Sequence, residues 1–325
     1  MDIFYPIKLL ADWVTFKVLN LAGDMVVAQA VNFFIYDFIK ILVLLVFIIF
    51  IVSLVRSFWP PARIRLILLN RNKLIGHTMA AILGIITPFC SCSAVPLFLG
   101  FVEAGVPLGV TFSFLVASPM INEVALILLV GLFGWKIALF YIVSGLIIAI
   151  LTGLIIGKLN PESLVADFIF KPQASLVYEN RSIGWSGRFL YAKEYTKDIV
   201  KKVWPYVAVG IGLGALIHGY VPMDFLASYV GADKWYAVPL AVLIGIPLYT
   251  NAAGVIPLVA VLMEKGVALG TALAFMMAVT ALSLPEFMIL KKVMKVKLIL
   301  IFAGVIGLGI IFTGYLFNLT GLVNL

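Results

Sequence analysis

Residues 41–55 and 137–157 contain no charged side chain, and both consist almost wholly of Ile, Leu, Val, Phe, Ala and Gly. Runs of this kind approach the ~20 apolar residues that a helix needs to cross a bilayer. Inside lipid every backbone polar group must be satisfied by the chain itself, which leaves helices or a closed barrel. A barrel strand alternates apolar and polar residues over short segments; these runs are continuous, so they read as helices. The composition agrees: 64% of residues are hydrophobic and 12% charged, where a soluble domain has about a quarter charged. The sequence therefore predicts an all-α polytopic membrane protein. Its first residues, MDIFYPIKLLADWV, lack the basic region, short apolar core and small-residue site of a removable signal peptide. The net charge of +8 fits basic loops on the cytoplasmic side of the cell membrane and does not call for nucleic acid.

The chain repeats itself. An offset of 161 residues pairs Gly84 with Gly245, Pro96 with Pro257, Glu103 with Glu264, Gly105 with Gly266 and Gly109 with Gly270, without a gap. The same offset pairs Phe114 with Phe275 and Ala117 with Ala278. Apolar composition alone does not put proline, glutamate and glycine in register. Each copy parses alike: a first span (33–55 and 203–220), a connector (56–73 and 221–234), two apolar stretches interrupted by proline, and a last span (137–157 and 298–316). The interrupted stretches are 74–103, broken near Pro88 and Pro96, and 106–132, broken at Ser118 and Pro119. In copy two they are 235–264, broken near Pro247 and Pro257, and 267–290, broken at Pro285. Proline removes a backbone donor and clashes with the preceding turn, and non-helical backbone at that depth survives only inside protein or beside a wet cavity.

Loop charge predicts orientation. The connector 56–73 carries Arg56, Arg63, Arg65, Arg71 and Lys73 with no acid, while its counterpart carries Asp224, Asp233 and Lys234. The turn at Lys136 has one charge, and its counterpart holds Lys291, Lys292, Lys295 and Lys297. Matching loops thus fall on opposite sides under the positive-inside rule, which predicts inverted repeats with proline-broken helices meeting near mid-membrane. The expected division is an N-terminal interfacial helix at 1–32, repeat one at 33–157, a charged cytoplasmic linker at 158–202 and repeat two at 203–325, all in one membrane domain. The alternative for the N-terminal stretch is a helix that caps the bundle.

The chemistry concentrates at the breaks. Both cysteines of the chain, Cys90 and Cys92, stand between Pro88 and Pro96. Thiolates are ligands for soft species. On a continuous helix residues two apart point about 200° from each other, so the pair can converge on one ligand only where the helix breaks. The competing reading is a small buried apolar residue. Copy two has Asn251 and Ala253 at the matching positions, so the fold does not need sulfur there. Ser91, Ser93, Thr87, Thr250 and Asn251 cluster at the same breaks, either to replace a substrate's water shell or to allow close packing. Ser118 and Asn122 flank the second break. Glu123 follows, and an intramembrane acid is a functional candidate: it can accept a coupling proton or face a cationic substrate. Glu286 lies near Lys291 and Lys292, which predicts an interfacial ion pair. Glu103 and Glu264, beside glycine, read as helix-end residues. His77 and His218 stand without a second ligand at metal spacing and read as packing residues, as do Gly210, Gly212 and Gly214. The sequence shows no phosphate-cradling loop, nucleotide fingerprint or serine elbow, and no cofactor is expected.

The segment TPFCSCSAVPL, followed by GVPLG and FLVASPMINEVAL, resembles the predicted permeases that include ArsP-type organoarsenical exporters and YraQ-like proteins. The resemblance covers residues 35–315 and is densest at 84–125. It implies a secondary permease, with the ArsP-like branch exporting trivalent methylated or aromatic arsenicals. By that resemblance Cys90 and Cys92 are thiol ligands for arsenic(III), and Ser118, Pro119 and Asn122 match its second motif. The expected partners are a small-molecule substrate and the lipid bilayer, with the oligomeric state left open. Two other readings stand beside it: a membrane thiol–disulfide relay, and a permease for a small anion or metabolite in which the cysteines are filler. A relay is more natural with one cysteine in each copy, and here both lie in copy one.

Overall fold

The computed structural model of the chain describes residues 4–23, 25–56, 73–87, 91–103, 105–159, 164–165, 184–220, 234–248, 252–264, 266–291 and 294–319. Almost all of them are helical. Copy one contributes α2 (Val26–Arg56), α3 (Lys73–Ile86), α4 (Ser91–Glu103), α5 (Leu108–Met120), α6 (Glu123–Phe133) and α7 (Trp135–Lys158), after an N-terminal α1 (Tyr5–Asp12) that runs on as a π-helical stretch, Trp13–Val18. Copy two contributes α8 (Trp185–Tyr220), α9 (Ala237–Gly245), α10 (Ala252–Glu264), α11 (Leu269–Ala281), α12 (Leu284–Leu290) and α13 (Val296–Leu319). The bounds of α4, α5 and α7 recur in α10, α11 and α13 at the same offset of 161.

The repeated glycines explain why the copies pack alike. A Cβ on Gly84 would meet the Phe114 carbonyl oxygen at 3.0 Å and the Ala117 Cβ at 3.1 Å; a Cβ on Gly245 would meet the Ala278 Cβ at 3.0 Å and the Phe275 carbonyl at 3.3 Å. These are the residues paired by the repeat, so α3 lies on α5 as α9 lies on α11. Gly109 of α5 meets Gly153 of α7, and Gly270 of α11 meets Gly314 of α13 in the same way. Close approach through small residues is how helices associate where lipid removes most of the hydrophobic drive. At the ends of α4 and α10 the chain turns through Gly105 and Gly266 at φ 76° and 85°, a left-handed conformation open to glycine. The closing bonds match as well: Val106 N–H to the Phe101 carbonyl and Val267 N–H to the Leu262 carbonyl, both 3.0 Å. Glu103 and Glu264 are the last residues of these helices, as expected.

The core sits between the copies. Every residue of α5 and of α11 is buried, the state of a helix that is apolar all round. These two helices touch each other, as do α7 with α13 and α2 with α8, so three contacts join equivalent elements. Phe112 of α5 packs against Phe98 of its own copy and Phe302 of the other, with ring centroids 5.2 and 5.6 Å away. On the outside, Phe47, Ile127, Leu300 and Phe312 are exposed, an apolar surface suited to lipid. Among the described residues four helices are long and apolar enough to cross a membrane, and a fifth span follows if α5 and α6, bent by 50° at their junction, count as one.

The structure differs from expectation in three places. The segment 158–202 is not a loop throughout, because α8 starts at Trp185 and carries its polar first half straight into the apolar second half. The first span of copy one starts at Val26 rather than at residue 33. Pro119 lies inside α5, and the break falls after it, at Ile121 and Asn122. The N-terminal helix is tied to the bundle by Asn32, whose Nδ2 donates to Asp12 Oδ1 at 2.8 Å.

Candidate functional site

Four interruptions divide the apolar stretches into shorter helices. In copy one α3 stops at Ile86 and α4 starts at Ser91; α5 stops at Met120 and α6 starts at Glu123. In copy two α9 stops at Gly245 and α10 starts at Ala252; α11 stops at Ala281 and α12 starts at Leu284. The helices beyond the breaks keep neighbours in their own copy and also pack across the copies: α4 of copy one against α12 of copy two, and α6 of copy one against α10 of copy two. In copy two the broken stretches also bond directly, Leu284 N–H to the Ile246 carbonyl at 2.9 Å.

Hydrogen bonds close the described helix ends at three of these breaks. Ile121 N–H and Leu282 N–H close α5 and α11 onto the Ala117 and Ala278 carbonyls, both at 2.9 Å. Asn122 and Ser283 then open α6 and α12, their carbonyls accepting from Leu126 at 3.0 Å and Phe287 at 3.2 Å. Thr87 ends α3 by donating its hydroxyl to the Leu83 carbonyl at 2.8 Å, so here it serves the backbone. Tyr141, buried on α7, donates to the Met120 carbonyl at 2.8 Å. One side chain thereby fixes the end of α5. Sequence reasoning passed over it because a tyrosine in an apolar run carries no spacing signal. Its counterpart in copy two is Phe302, which has no hydroxyl. Tyr141→Phe should lower the thermal midpoint of the purified protein by an amount equivalent to about 1–3 kcal/mol, the cost of leaving a buried carbonyl unpaired. An unchanged midpoint would mean the bond does not hold the break.

The expected site residues distribute as follows. Cys90 and Asn251, with Pro88 and Thr250, lie outside the described residues. Ser91, Cys92 and Ser93 form the first turn of α4, placed by their backbone. Ser118 is buried one turn before the α5–α6 break, Asn122 is half-buried at it, and Glu123 is the first residue of α6. The structure thus brings Ser118, Asn122 and the backbone of Glu123 to one break, and the Ser91–Ser93 turn to another. Among the described residues no three His, Cys, Asp or Glu come together to hold a metal ion.

Glu286 is not the interfacial acid the sequence suggested. It is 1% exposed, and neither carboxylate oxygen has a hydrogen-bond partner. Lys291, expected to pair with it, is exposed beyond the end of α12, and Lys292 lies outside the described residues. The sequence signal that was available, an acid within the apolar stretch 267–290, was outweighed by the lysines that follow.

His77 is a packing residue of copy one. It is 6% exposed on α3, and its Nδ1 lies 2.9 Å from Ser113 Oγ of α5, beside the Gly109–Gly153 crossing. The corresponding trio of copy two is Val238, Ala274 and Gly314, which meet one another in an apolar version of the same contact. Ser113→Ala alone leaves an imidazole nitrogen unpaired and should cost about 1–3 kcal/mol in a thermal-shift measurement, whereas replacing both partners is nearly neutral. His77→Val combined with Ser113→Ala, which copies the second repeat, should therefore be more stable than Ser113→Ala; the reverse order would contradict this.

Residues 26–319 match the family model ArsP_1, described as a predicted permease. The chain belongs to this predicted permease family. Three relatives share about a quarter of their residues with it. The UPF0718 protein MJ0584 of Methanocaldococcus jannaschii is 24% identical over 76% of this chain and 83% of its own length. A Streptococcus mutans protein, provisionally named as a two-component membrane permease complex subunit, is 27% identical over 75% of this chain and 80% of its own length. The UPF0718 protein YraQ of Escherichia coli is 25% identical over 70% of this chain and 64% of its own length. No solved structure matches the chain. Family and apolar helices together make this permease a multi-pass membrane protein.

Proposed function

We propose that this permease is a secondary-active exporter of thiophilic small molecules, such as trivalent organoarsenicals, in the plasma membrane. It is built from two inverted repeats whose proline-marked breaks meet near mid-membrane. The observation that carries the reading is the packing of helices beyond the breaks across the copies, α4 on α12 and α6 on α10. Transporters place substrate at such repeat interfaces, on discontinuous helices. Two further features support it. The elements of the copies recur at one offset. Residues 164–165 of the segment joining the copies also lie against the lysine-rich turn of copy two, with the Leu164 carbonyl accepting from Lys295 N–H at 2.8 Å, as expected if both lie on the cytoplasmic side.

In this reading Cys90 and Cys92 bind the passenger where α4 begins. A monosubstituted arsenic(III) centre with two hydroxyls exchanges both for thiols: two As–S bonds form, two As–O bonds break and two waters leave, with no change of oxidation state. Ser91, Ser93, Ser118, Asn122 and Asn251 replace the water shell around it. Glu123, opening α6, carries the coupling proton. Rocking of one copy against the other gives alternating access. The test is methylarsenite transport into proteoliposomes. Wild type should accumulate it and Cys90→Ser/Cys92→Ser should not; equal transport by both removes the thiols from the mechanism.

A further inference from the structure

We infer that Glu286, with Ser283 one turn before it, forms a second protonation site of the permease, in copy two at the α11–α12 break. The inference deepens the transport reading above and rests on it for its purpose, though not for its chemistry.

The argument starts from burial. Glu286 and Ser283 are each 1% exposed, and both carboxylate oxygens and the Ser283 hydroxyl oxygen lack a hydrogen-bond partner. Three orphaned oxygens three residues apart on one break are unusual, because buried polar side chains are normally paired. An ionised carboxylate in such a place is far more costly than a neutral one, so the form that fits this conformation is the protonated acid. The fold itself does not require a carboxyl here. The repeat equivalent of Glu286 is Ala125, which is fully buried at the start of α6. A small apolar residue satisfies the packing in copy one; copy two keeps an acid.

Its position gives the proton a use. α12 packs against α4, whose first turn holds Cys92, and against α8. The other titratable residues of these two helices are Glu103 on α4 and, in the apolar half of α8, Tyr206, His218 and Tyr220; the polar half of α8 holds Tyr191, Tyr195 and the charged residues from Arg188 to Lys202. Opening of the break admits water and allows Glu286 to ionise. Reclosing of α12 onto α4 requires the proton back. Proton release is thereby tied to the element that contacts the thiol-bearing helix.

The test uses the whole protein in nanodiscs and does not depend on transport. Dicyclohexylcarbodiimide enters apolar regions and reacts with carboxyl groups in their protonated form. Peptide mapping should find Glu286 labelled at neutral pH, with labelling falling several-fold as the solution is made alkaline. Glu286→Gln, nearly isosteric, should elute as the same monodisperse species and lose that labelled peptide. A Glu286 that stays unlabelled from acid to alkaline pH, or labels equally at every pH, overturns the proposal, whatever the variant does. The proteoliposome assay separates the two readings: labelled Glu286 in a protein that does not move methylarsenite sinks the substrate and leaves the proton site standing.

Discussion

Gly109→Ala should destabilise the protein by about 1–3 kcal/mol, the usual cost of overpacking, and Gly109→Leu should prevent recovery of a monodisperse species. The reason is geometric. A Cβ at this position would stand 2.6 Å from the Gly153 carbonyl oxygen and 2.9 Å from the Gly157 Cα. Both atoms are backbone, so no rotamer change relieves the clash and α5 must move off α7. α5 cannot move alone, since it is buried along its whole length and also packs on α3, α4 and α11. The control is Gly131→Ala on α6. A Cβ there meets nothing within 4 Å, and alanine is the better helix former by about 1 kcal/mol. Thermal midpoints from size-exclusion profiles should therefore separate the two alanine variants widely. Equal midpoints would show that the α5–α7 crossing is looser than the glycines imply.

The same glycines explain what the sequence made legible. Gly84, Gly109, Gly245 and Gly270 repeat at one offset because each copy crosses its helices at the same points, where only a hydrogen atom fits. A steric rule of that kind leaves a mark in the sequence. So does the helix-ending turn at Gly105 and Gly266. Partner choice leaves no such mark: nothing in the spacing of residues 91–103 says that this helix packs against residues 284–290 of the other copy. The polar half of α8 was missed because Arg188, Lys193, Glu194 and Lys201 resemble a solvated linker, although they are ordinary helix formers. Pro119 reads as the break itself in the sequence, whereas the helix carries it and closes at Ile121 through the Ala117 carbonyl. Glu286 was misplaced by its neighbours in sequence, since burial depends on the elements packed over it.

Replacing either cysteine by serine should abolish high-affinity binding of methylarsenite about as completely as replacing both. In the proposed transport reading the two thiols chelate one arsenic atom. Once one As–S bond has formed, the second thiol is held at the effective concentration of an intramolecular partner, which is worth about 10²–10⁴ in affinity without any new contact. A single thiol keeps the first bond and loses that factor. Losses from the two sites are then strongly non-additive, as expected for groups acting together on one ligand. Methylarsenite should raise the thermal midpoint of wild type by mass action, with little shift in Cys90→Ser, Cys92→Ser or the double variant. Additive, partial losses would instead mean that each sulfur binds separately and that no shared site exists. A full shift in the double variant would return the cysteines to the role of small buried residues.

The proposal on which the transport reading turns is that the Cys90 and Cys92 sulfurs reach one atom. Alkylation protection measures this directly. Purified wild-type protein in nanodiscs is given one molar equivalent of methylarsenite, then excess maleimide, and the intact mass is recorded. The account predicts that a single equivalent shields Cys90 and Cys92 together, leaving most chains with no maleimide. Chains carrying one maleimide each, or two as in the untreated control, would contradict it.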